Sequence, residues 1–314
     1  MKRRTLLQAA TAGAALWNCP IKTWAGKPSW KNWTSSDVSE AFGVFAKTRK
    51  MSKDLQAWLR DKEIQQIKPY KVFDNVYFVG IRWVSSWLIK TSAGLVLIDT
   101  LHEPFVDRLF ENIGALGFKP EEIKWVLMTH GHFDHVGGYY RAADYFKNAR
   151  FVMSKRGWDE AFVSAKQSQG KPGQWKMLER IDKVVKDGEV IECGKNSFLV
   201  LETPGHTWGT ASYAYDAIWN DKRYRAVTIG GQGLNAIESP AQVKAYIASM
   251  KRLAESQLNI CVDLTAHPFT TGLTERIPKI QALRSGGEHP LINRAEYLKR
   301  LLGLQKSAET LLSR

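Results

Sequence analysis

Four side chains that can bind a metal ion lie within six residues of one another. Residues 129–138 read Thr-His-Gly-His-Phe-Asp-His-Val-Gly-Gly, and the four side chains are His130, His132, Asp134 and His135. Neutral imidazole and carboxylate groups bind Zn²⁺ well, at about 2.0–2.2 Å. So short a segment cannot wrap around a single ion, and we expect it to serve two neighbouring ions. The first two histidines face one ion, and Asp134 with His135 faces the other.

Each ion needs a further ligand from elsewhere in the chain, which has only seven histidines. His206 lies in Thr-Pro-Gly-His-Thr and His267 lies in Thr-Ala-His-Pro, each directly after a predicted strand. We assign His206 to the first ion and His267 to the second. Each ion then has three protein ligands and an open position for water, as a catalytic zinc requires. We assign no metal role to His102 or His289.

Two zinc ions per chain would support hydrolysis. Ions about 3.5–4 Å apart can share a water molecule and convert it to hydroxide near neutral pH. This metal-bridging hydroxide would attack a carbonyl, while one ion polarises the carbonyl oxygen and the other stabilises the leaving group. Asp134 is then both a ligand and the catalytic residue that orients the nucleophile. No serine or cysteine nucleophile is needed.

The elements that position these residues form two β-rich halves with helices around them. The predicted strands are 72–79, 86–90, 94–99, 125–128 and 150–153 in the first half, and 189–193, 197–203, 211–215, 226–230 and 260–264 in the second. Helical periodicity covers 35–65, 104–116, 138–146, 240–253 and 294–312, and the polar segment 158–183 is expected to be a helix interrupted by a loop. This order predicts an α+β fold, a four-layer αββα sandwich.

The chain divides into four regions. Residues 1–25 have a basic start with adjacent Arg3 and Arg4, a weakly apolar alanine-rich stretch, and small residues up to Ala25. That layout predicts a twin-arginine signal peptide, recognised by an export machinery that delivers folded proteins to the bacterial periplasm. A basic N-terminus that carries no targeting signal is the alternative. We assign 26–70 to an N-terminal helical extension, 71–290 to the catalytic domain and 291–314 to a C-terminal helix that packs on it.

The charge of the chain favours anionic partners. Removing residues 1–25 takes away four basic residues and no acidic one, which lowers the net charge from +14 to +10. The remaining basic residues are dispersed, so we expect a small-molecule substrate, for which the charge favours an anion, and no nucleic acid. No apolar stretch is long enough for stable membrane insertion. We expect Cys193 and Cys261 to be unpaired, with a disulfide between them as the alternative.

The histidine cluster, the 203–207 turn and the His267-Pro268 pair resemble the metallo-β-lactamase superfamily, and most closely its third subclass of β-lactamases. Further similarity lies in Tyr77-Phe78-Val79-Gly80, Leu97-Ile98-Asp99-Thr100, Asn112-Ile113, Leu116-Gly117-Phe118, and Val184 with Lys186-Asp187-Gly188. The resemblance covers roughly residues 70–270. It implies the αββα fold, two zinc ions and a role for Asp99 behind the site as an orienter of ligands. The alternative for Asp99 is a turn residue at a strand end.

Departures from relatives narrow the chemistry that the resemblance implies. Flavodiiron relatives carry a glutamate at the place of His132, so the histidine favours zinc hydrolysis over redox work. Lactonases, thioesterases and phosphodiesterases of the superfamily carry a metal-bridging aspartate near the place of residues 230–232, and the first β-lactamase subclass carries a cysteine there. This chain reads Gly-Gly-Gln. The absence of both ligands favours β-lactam hydrolysis and a role in antibiotic resistance.

One departure points to another substrate. The third subclass has serines in this loop that hold the carboxylate of the drug, whereas this chain offers the amides of Gln232 and Asn235. Trp83 and Trp87 are candidates for an apolar wall over the site, with core packing as the alternative, especially for Trp87. The alternative function is hydrolysis of another ester, lactone, organophosphate or halogenated aromatic substrate. A metal-binding protein with little catalysis is the third hypothesis.

Overall fold

The computed structural model describes residues 29–312, and its core is a pair of mixed β-sheets. The first sheet has the strand order β1-β2-β3-β4-β5-β6-β7 and the second has the order β12-β11-β10-β9-β8. The strands of the first sheet are β1 (Tyr70–Phe73), β2 (Val76–Phe78), β3 (Trp87–Thr91), β4 (Gly94–Ile98), β5 (Ile123–Leu127), β6 (Arg150–Ser154) and β7 (Lys183–Val185). Those of the second are β8 (Val190–Cys193), β9 (Asn196–Glu202), β10 (Ala211–Trp219), β11 (Lys222–Thr228) and β12 (Val262–Asp263).

Helices cover the outer faces of both sheets. They are α1 (Ser35–Thr48), α2 (Lys53–Arg60), α3 (Val106–Ala115), α4 (Phe133–Val136), α5 (Tyr139–Tyr145), α6 (Lys155–Ser168), α7 (Pro240–Leu253), α8 (Leu273–Gln281) and α9 (Arg294–Leu312). Short 3₁₀ turns lie at Leu234–Ala236 and Pro268–Thr270, on either side of α7 and β12. Strands β4 to β7 run parallel, and helical crossovers connect them, while β8 to β11 form an antiparallel meander.

The apolar residues form three layers of packing. Phe78 and Trp87 of the first sheet pack against Phe198 and Tyr213 of the second, which forms the core between the sheets. The outer face of the first sheet packs against α1 to α6, and that of the second packs against α7 and α9. The order helix–sheet–sheet–helix confirms the predicted four-layer αββα sandwich.

The N-terminal helices pack on the sandwich rather than standing apart from it. Helix α1 begins with a capping box, in which Thr34 and Asp37 each bond the other's backbone N–H. Its buried residue Val38 joins Trp33 and Trp58 in the first outer core. The end of α1 is held by Arg49, whose guanidinium donates to the carbonyls of residues 235 and 237 in the loop after β11. This part of the chain therefore contacts the loop that carries two predicted substrate-binding residues.

Three further expectations concern the signal peptide, membrane-spanning helices and the two cysteines. The signal-peptide prediction for residues 1–25 falls outside the described residues. Within residues 29–312, no helix is both long and apolar enough for a membrane span. Cys193 and Cys261 are free thiols, the first buried and the second half-buried, as expected.

Candidate metal centre

The predicted ligands lie at the carboxyl ends of strands from both sheets. The segment from His130 to His135 follows β5 and turns into the short helix α4. His206 follows β9 at a turn where Gly205 has a φ of 139°, a backbone conformation that glycine adopts readily. His267 follows β12. The two sheets therefore meet at one edge, where the first supplies the cluster and the second supplies one histidine to each group.

The first group consists of His130, His132 and His206. The Nδ1 atom of His132 lies 3.1 Å from the Nε2 atom of His130 and 3.1 Å from the Nε2 atom of His206. The other ring nitrogen of His206, Nδ1, lies 2.6 Å from the carbonyl oxygen of Gly233. That bond sets the direction in which His206 presents Nε2. The three nitrogens thus converge with geometry suited to one ion.

The second group consists of Asp134, His135 and His267. The Nε2 atom of His135 lies 3.2 Å from the Nε2 atom of His267 and 3.3 Å from Oδ2 of Asp134. His267 is oriented by its Nδ1 atom, which lies 2.8 Å from the carbonyl oxygen of Trp83. In each group the ligand atoms lie within 4.8 Å of one another.

The charge states of these side chains follow from burial and from the neighbouring carboxylates. Burial lowers the pKa of His132 to about 3 and the pKa values of His206 and His267 to about 4, so these imidazoles are neutral at pH 7. Burial alone would lower the pKa of His135 too, but the carboxylates of Asp134 and Asp99 outweigh it and raise that pKa to about 10.

Asp134 is ionised in the same surroundings. Its burial would raise the pKa of the carboxyl, but the positive charge of His135 and the hydrogen bond to it hold the pKa well below its usual range. An ionised carboxylate and neutral imidazoles are the protonation states that bind a metal, so His135 has to release its proton when an ion binds the second group. The two donor sets, three nitrogens in one and two nitrogens with one oxygen in the other, fit Zn²⁺ and leave an open position on each ion.

Asp99 lies behind the site at the end of β4, with its carboxylate fully buried. Its Oδ2 atom is 2.8 Å from Nδ1 of His135, and it also accepts from the hydroxyl of Thr129 at 2.9 Å. Its Oδ1 atom accepts from the backbone N–H of Thr129 at 2.8 Å. One carboxylate therefore orients a ligand of the second group and fixes the residue before His130. This geometry fits the orienting role predicted for Asp99.

The predicted substrate-binding residues have different positions. Trp83 is 8% exposed, and its ring packs edge-on against His102 and Phe133 near the second group. Asn235 is half-buried, and its carbonyl accepts from Arg49. Substrate binding by Trp83 and by Asn235 stays a prediction.

Gln232 and Trp87 do not have the surroundings expected of substrate contacts. The amide oxygen of Gln232 is turned into the protein, where it accepts from Arg300 and lies 3.3 Å and 3.2 Å from the hydroxyl oxygens of Thr265 and Thr270. Trp87 is buried between the sheets, and its Nε1 atom donates to the carbonyl of Thr265. Of the two interpretations of Trp87, the structure supports core packing, because alternation along β3 points its ring into the core between the sheets.

Two exposed aromatic side chains next to the ligands had not been singled out in the sequence. Phe133 is 41% exposed and follows His132, and Trp208 is 40% exposed and lies two residues after His206. In the sequence, only their positions beside the metal-binding motifs could have identified them as residues of the site. No periodicity indicated that their side chains are exposed. His102 and His289 are buried and lie outside both metal-binding groups found among the described residues.

Comparison with known proteins identifies the family. A family model described as the metallo-beta-lactamase superfamily matches residues 80–217, which include the histidine cluster and His206. Over these residues the chain matches the metallo-β-lactamase superfamily. A curated superfamily relative, a hydroxyacylglutathione hydrolase of Chelativorans sp. (strain BNC1), is 27% identical over 208 residues, covering 62% of this chain and 71% of the relative. The next two curated relatives are covered over 64% and 61% of their own length.

Solved structures of superfamily members share the fold. The subclass B3 metallo-β-lactamase BJP-1 of Bradyrhizobium japonicum is similar with a TM-score of 0.69 and 23% identity, covering 82% of this chain and 97% of that one. A variant of the FEZ-1 metallo-β-lactamase from Legionella gormanii gives a TM-score of 0.70 and 25% identity, with coverages of 79% and 96%. The resemblance to the third subclass and the expectation of a superfamily hydrolase are therefore confirmed. The substrate and the identity of the metal remain predictions.

Proposed function

We propose that this protein is an exported di-zinc hydrolase that opens the β-lactam ring of antibiotics. The observation that carries the proposal is the composition of the two donor groups, of which neither includes a cysteine or a second carboxylate. That composition is the pattern of the third subclass. The similarity to subclass B3 structures over about four-fifths of the chain supports the same subclass.

The side chains of the site have separate tasks in this reaction. Bound zinc would supply a Lewis acid and a water molecule with a lowered pKa. Asp134, ionised at neutral pH, can accept a hydrogen bond from the nucleophilic water and orient it. Because His132, His206 and His267 are neutral, they hold their ligand geometry without competition from protons. Asp99 keeps the His135 ring in place through the bond to Nδ1.

The exposed rings at the site would select the substrate. Phe133 and Trp208 follow ligands of the first group and expose about two-fifths of their surface. The buried ring of Trp83 packs against Phe133, with ring centroids 5.9 Å apart, and supports that exposed ring from inside the fold. Such rings bind the apolar or aromatic substituent of a substrate and exclude water from its scissile bond.

A second candidate function is hydrolysis of a thioester, or of another ester, lactone, organophosphate or halogenated aromatic substrate. The curated relative named hydroxyacylglutathione hydrolase favours the thioester. The inward orientation of Gln232 also removes one of two amides expected to bind the carboxylate of a β-lactam. The β-lactam proposal remains first because a bridging aspartate is missing from the segment after β11.

A substrate screen on the purified, zinc-loaded protein separates the candidates. We expect turnover of nitrocefin and of a carbapenem, with slower turnover of a hydroxyacylglutathione thioester and an aryl ester. Asp134→Ala should lose about one zinc ion per chain and the activity. Hydrolysis of the thioester or aryl ester without any β-lactam turnover would refute the β-lactam proposal. Two bound ions with no hydrolysis of any substrate would favour the metal-binding protein instead.

A further inference from the structure

A buried polar network connects the C-terminal helix α9 to the segment that carries His267. Arg300 of α9 donates to Oδ2 of Asp263 and to the amide oxygen of Gln232, and it donates to Oγ1 of Thr270 at 2.8 Å. The side chains of Arg300 and Asp263 are 16% and 11% exposed. One guanidinium thus joins α9, β12, the loop after β11 and the turn after His267.

The network reaches the backbone of His267 directly. The hydroxyl of Thr270 is 2.8 Å from the carbonyl oxygen of His267 and accepts from Arg300 on its other side. The backbone N–H of His267 donates to the hydroxyl of Thr265 at 3.2 Å, and the two threonine hydroxyls lie 2.8 Å apart. Both polar groups of the His267 backbone are therefore held by hydroxyls that belong to the network.

The same guanidinium also fixes the loop beside the first donor group. Gln232, which accepts from Arg300, has its backbone carbonyl held by the hydroxyl of Tyr246 at 2.8 Å. Its neighbour Gly233 accepts from Nδ1 of His206. The contact with His206 runs through the backbone of the loop, whereas the contacts with His267 run through the side-chain hydroxyls of Thr270 and Thr265. The second donor group depends more closely on Arg300.

We propose that Arg300 is a positioning residue for the second metal site, acting through Thr270 and Gln232 on His267. The inference rests on the metal binding proposed above. A buried ion pair contributes little net stability compared with apolar residues of similar size. The bonds from Arg300 to uncharged oxygens next to a metal ligand therefore point to the orientation of His267 as the function of this network.

The test compares Arg300→Met with Arg276→Met. Arg276, in α8, forms an ion pair with Glu296 of α9 and lines, together with Arg300, a cavity of about 30 Å³. It has no hydrogen bond to residues 265–270. Chelator competition measures the affinity of each of the two zinc ions. We expect Arg300→Met to weaken the second ion about 10- to 100-fold and to leave the first within about threefold, as for other residues that support a ligand. Arg276→Met should leave both ions unchanged.

A double variant separates positioning from the cost of a stranded charge. Asp263→Leu with Arg300→Leu removes both charges and should restore much of the unfolding midpoint lost in Arg300→Met. The weak binding of the second ion should persist, because the bonds to Thr270 and Gln232 are still missing. Recovery of zinc affinity in the double variant would overturn the inference, as would unchanged affinity in Arg300→Met.

Hydrogen exchange on the metal-free protein gives a readout that does not require zinc. Peptides that contain residues 265–270 should exchange faster in Arg300→Met than in Arg276→Met. If the unaltered protein binds fewer than two ions, the proposed function fails, and the exchange comparison alone decides the positioning role. Equal exchange in the two variants would then overturn it.

Discussion

Asp99 shows how much one side chain controls at this centre. Its two oxygens contact Nδ1 of His135 and accept from the backbone N–H and the hydroxyl of Thr129, and nothing else in the described part of the chain holds the Nδ1 atom of His135. Because this carboxylate balances the positive charge of His135, it affects the charge of the ligand as well as its direction.

Asp99→Asn should weaken the second zinc ion about 10- to 100-fold, since an amide of the same shape keeps the packing but loses the charge. Chelator competition with the purified protein measures the effect. Asp216→Asn, which alters a surface carboxylate paired with Arg223 and Arg225, is the matched control and should change neither ion. Equal zinc affinities in the two variants would contradict the orienting role of Asp99.

Glycine at position 231 is required by the closeness of His206. A Cβ atom there would lie 2.6 Å from Cβ and Cγ of His206. Gly231→Ala should therefore displace His206 and weaken the first zinc ion at least about tenfold, measured by chelator competition. Gly43→Ala is the control, because no atom lies within 4 Å of its added methyl group. That change, inside α1, should leave zinc binding intact and stabilise the fold by about 0.5–1 kcal/mol.

At the residue scale, the sequence was sufficient to predict which six side chains come together in the two groups and insufficient to predict the residues around them. The cluster at 130–135 is a contiguous signal, and the small number of histidines left few further candidates. Gln232 was expected to face the substrate because its loop was expected beside the site. Its oxygen turns inward to Arg300, which lies 68 positions further along the chain. No local pattern encodes such a pairing.

At the scale of elements, the carboxylate of Glu275 links α8 to the first turn of α1. Glu275 accepts from the backbone N–H of Ser35 at 2.7 Å and from its hydroxyl at 2.6 Å, at the first turn of α1. Partial burial would raise the pKa of Glu275, but these two bonds outweigh it and hold the pKa below the usual value of 4.5. The stabilisation is therefore present above about pH 4.5 and is lost as the pH falls through the lowered pKa.

Glu275→Gln should destabilise the metal-free protein at pH 7 by about 0.5–1 kcal/mol, a modest value because solvent screens this partly exposed carboxylate. Urea unfolding at pH 7 and at pH 3.5 measures the difference, which should shrink at the lower pH. Ser35→Ala combined with Glu275→Gln should cost little more than either change alone. A difference that stays constant with pH would show that the charge of Glu275 has no part in holding α1.

The element order was predictable from periodicity, whereas the partners of the terminal helices were not. Alternating and apolar runs predicted both β-rich halves and the helices α3, α7 and α9. The region 35–65 was read as one helical stretch, but α1 ends at Thr48 and α2 begins at Lys53. The contact of α1 with the loop at 234–237 depends on Arg49, a residue without any helical signal of its own.

At the scale of the whole molecule, the predicted export can be tested by changing the signal residues alone. Replacing Arg3 and Arg4 by lysine should leave the protein in the cytoplasm of producing cells, because the twin-arginine pair is what its machinery recognises. Cell fractionation with an antibody against the folded domain measures this. Lys22→Arg keeps the charge near the cleavage site and should be exported normally. Periplasmic protein at unaltered levels in the double lysine variant would refute the signal.

Each donor group takes two ligands from the first sheet's half and one histidine from the second's. No complete site therefore exists in a chain in which only one half has folded. A metal ion could be bound by all three ligands of a group only after the two sheets have come together, so metal loading would be a late event that reports a finished tertiary structure. Two bound ions would then bridge the two halves, and pulling the halves apart would require the loss of both.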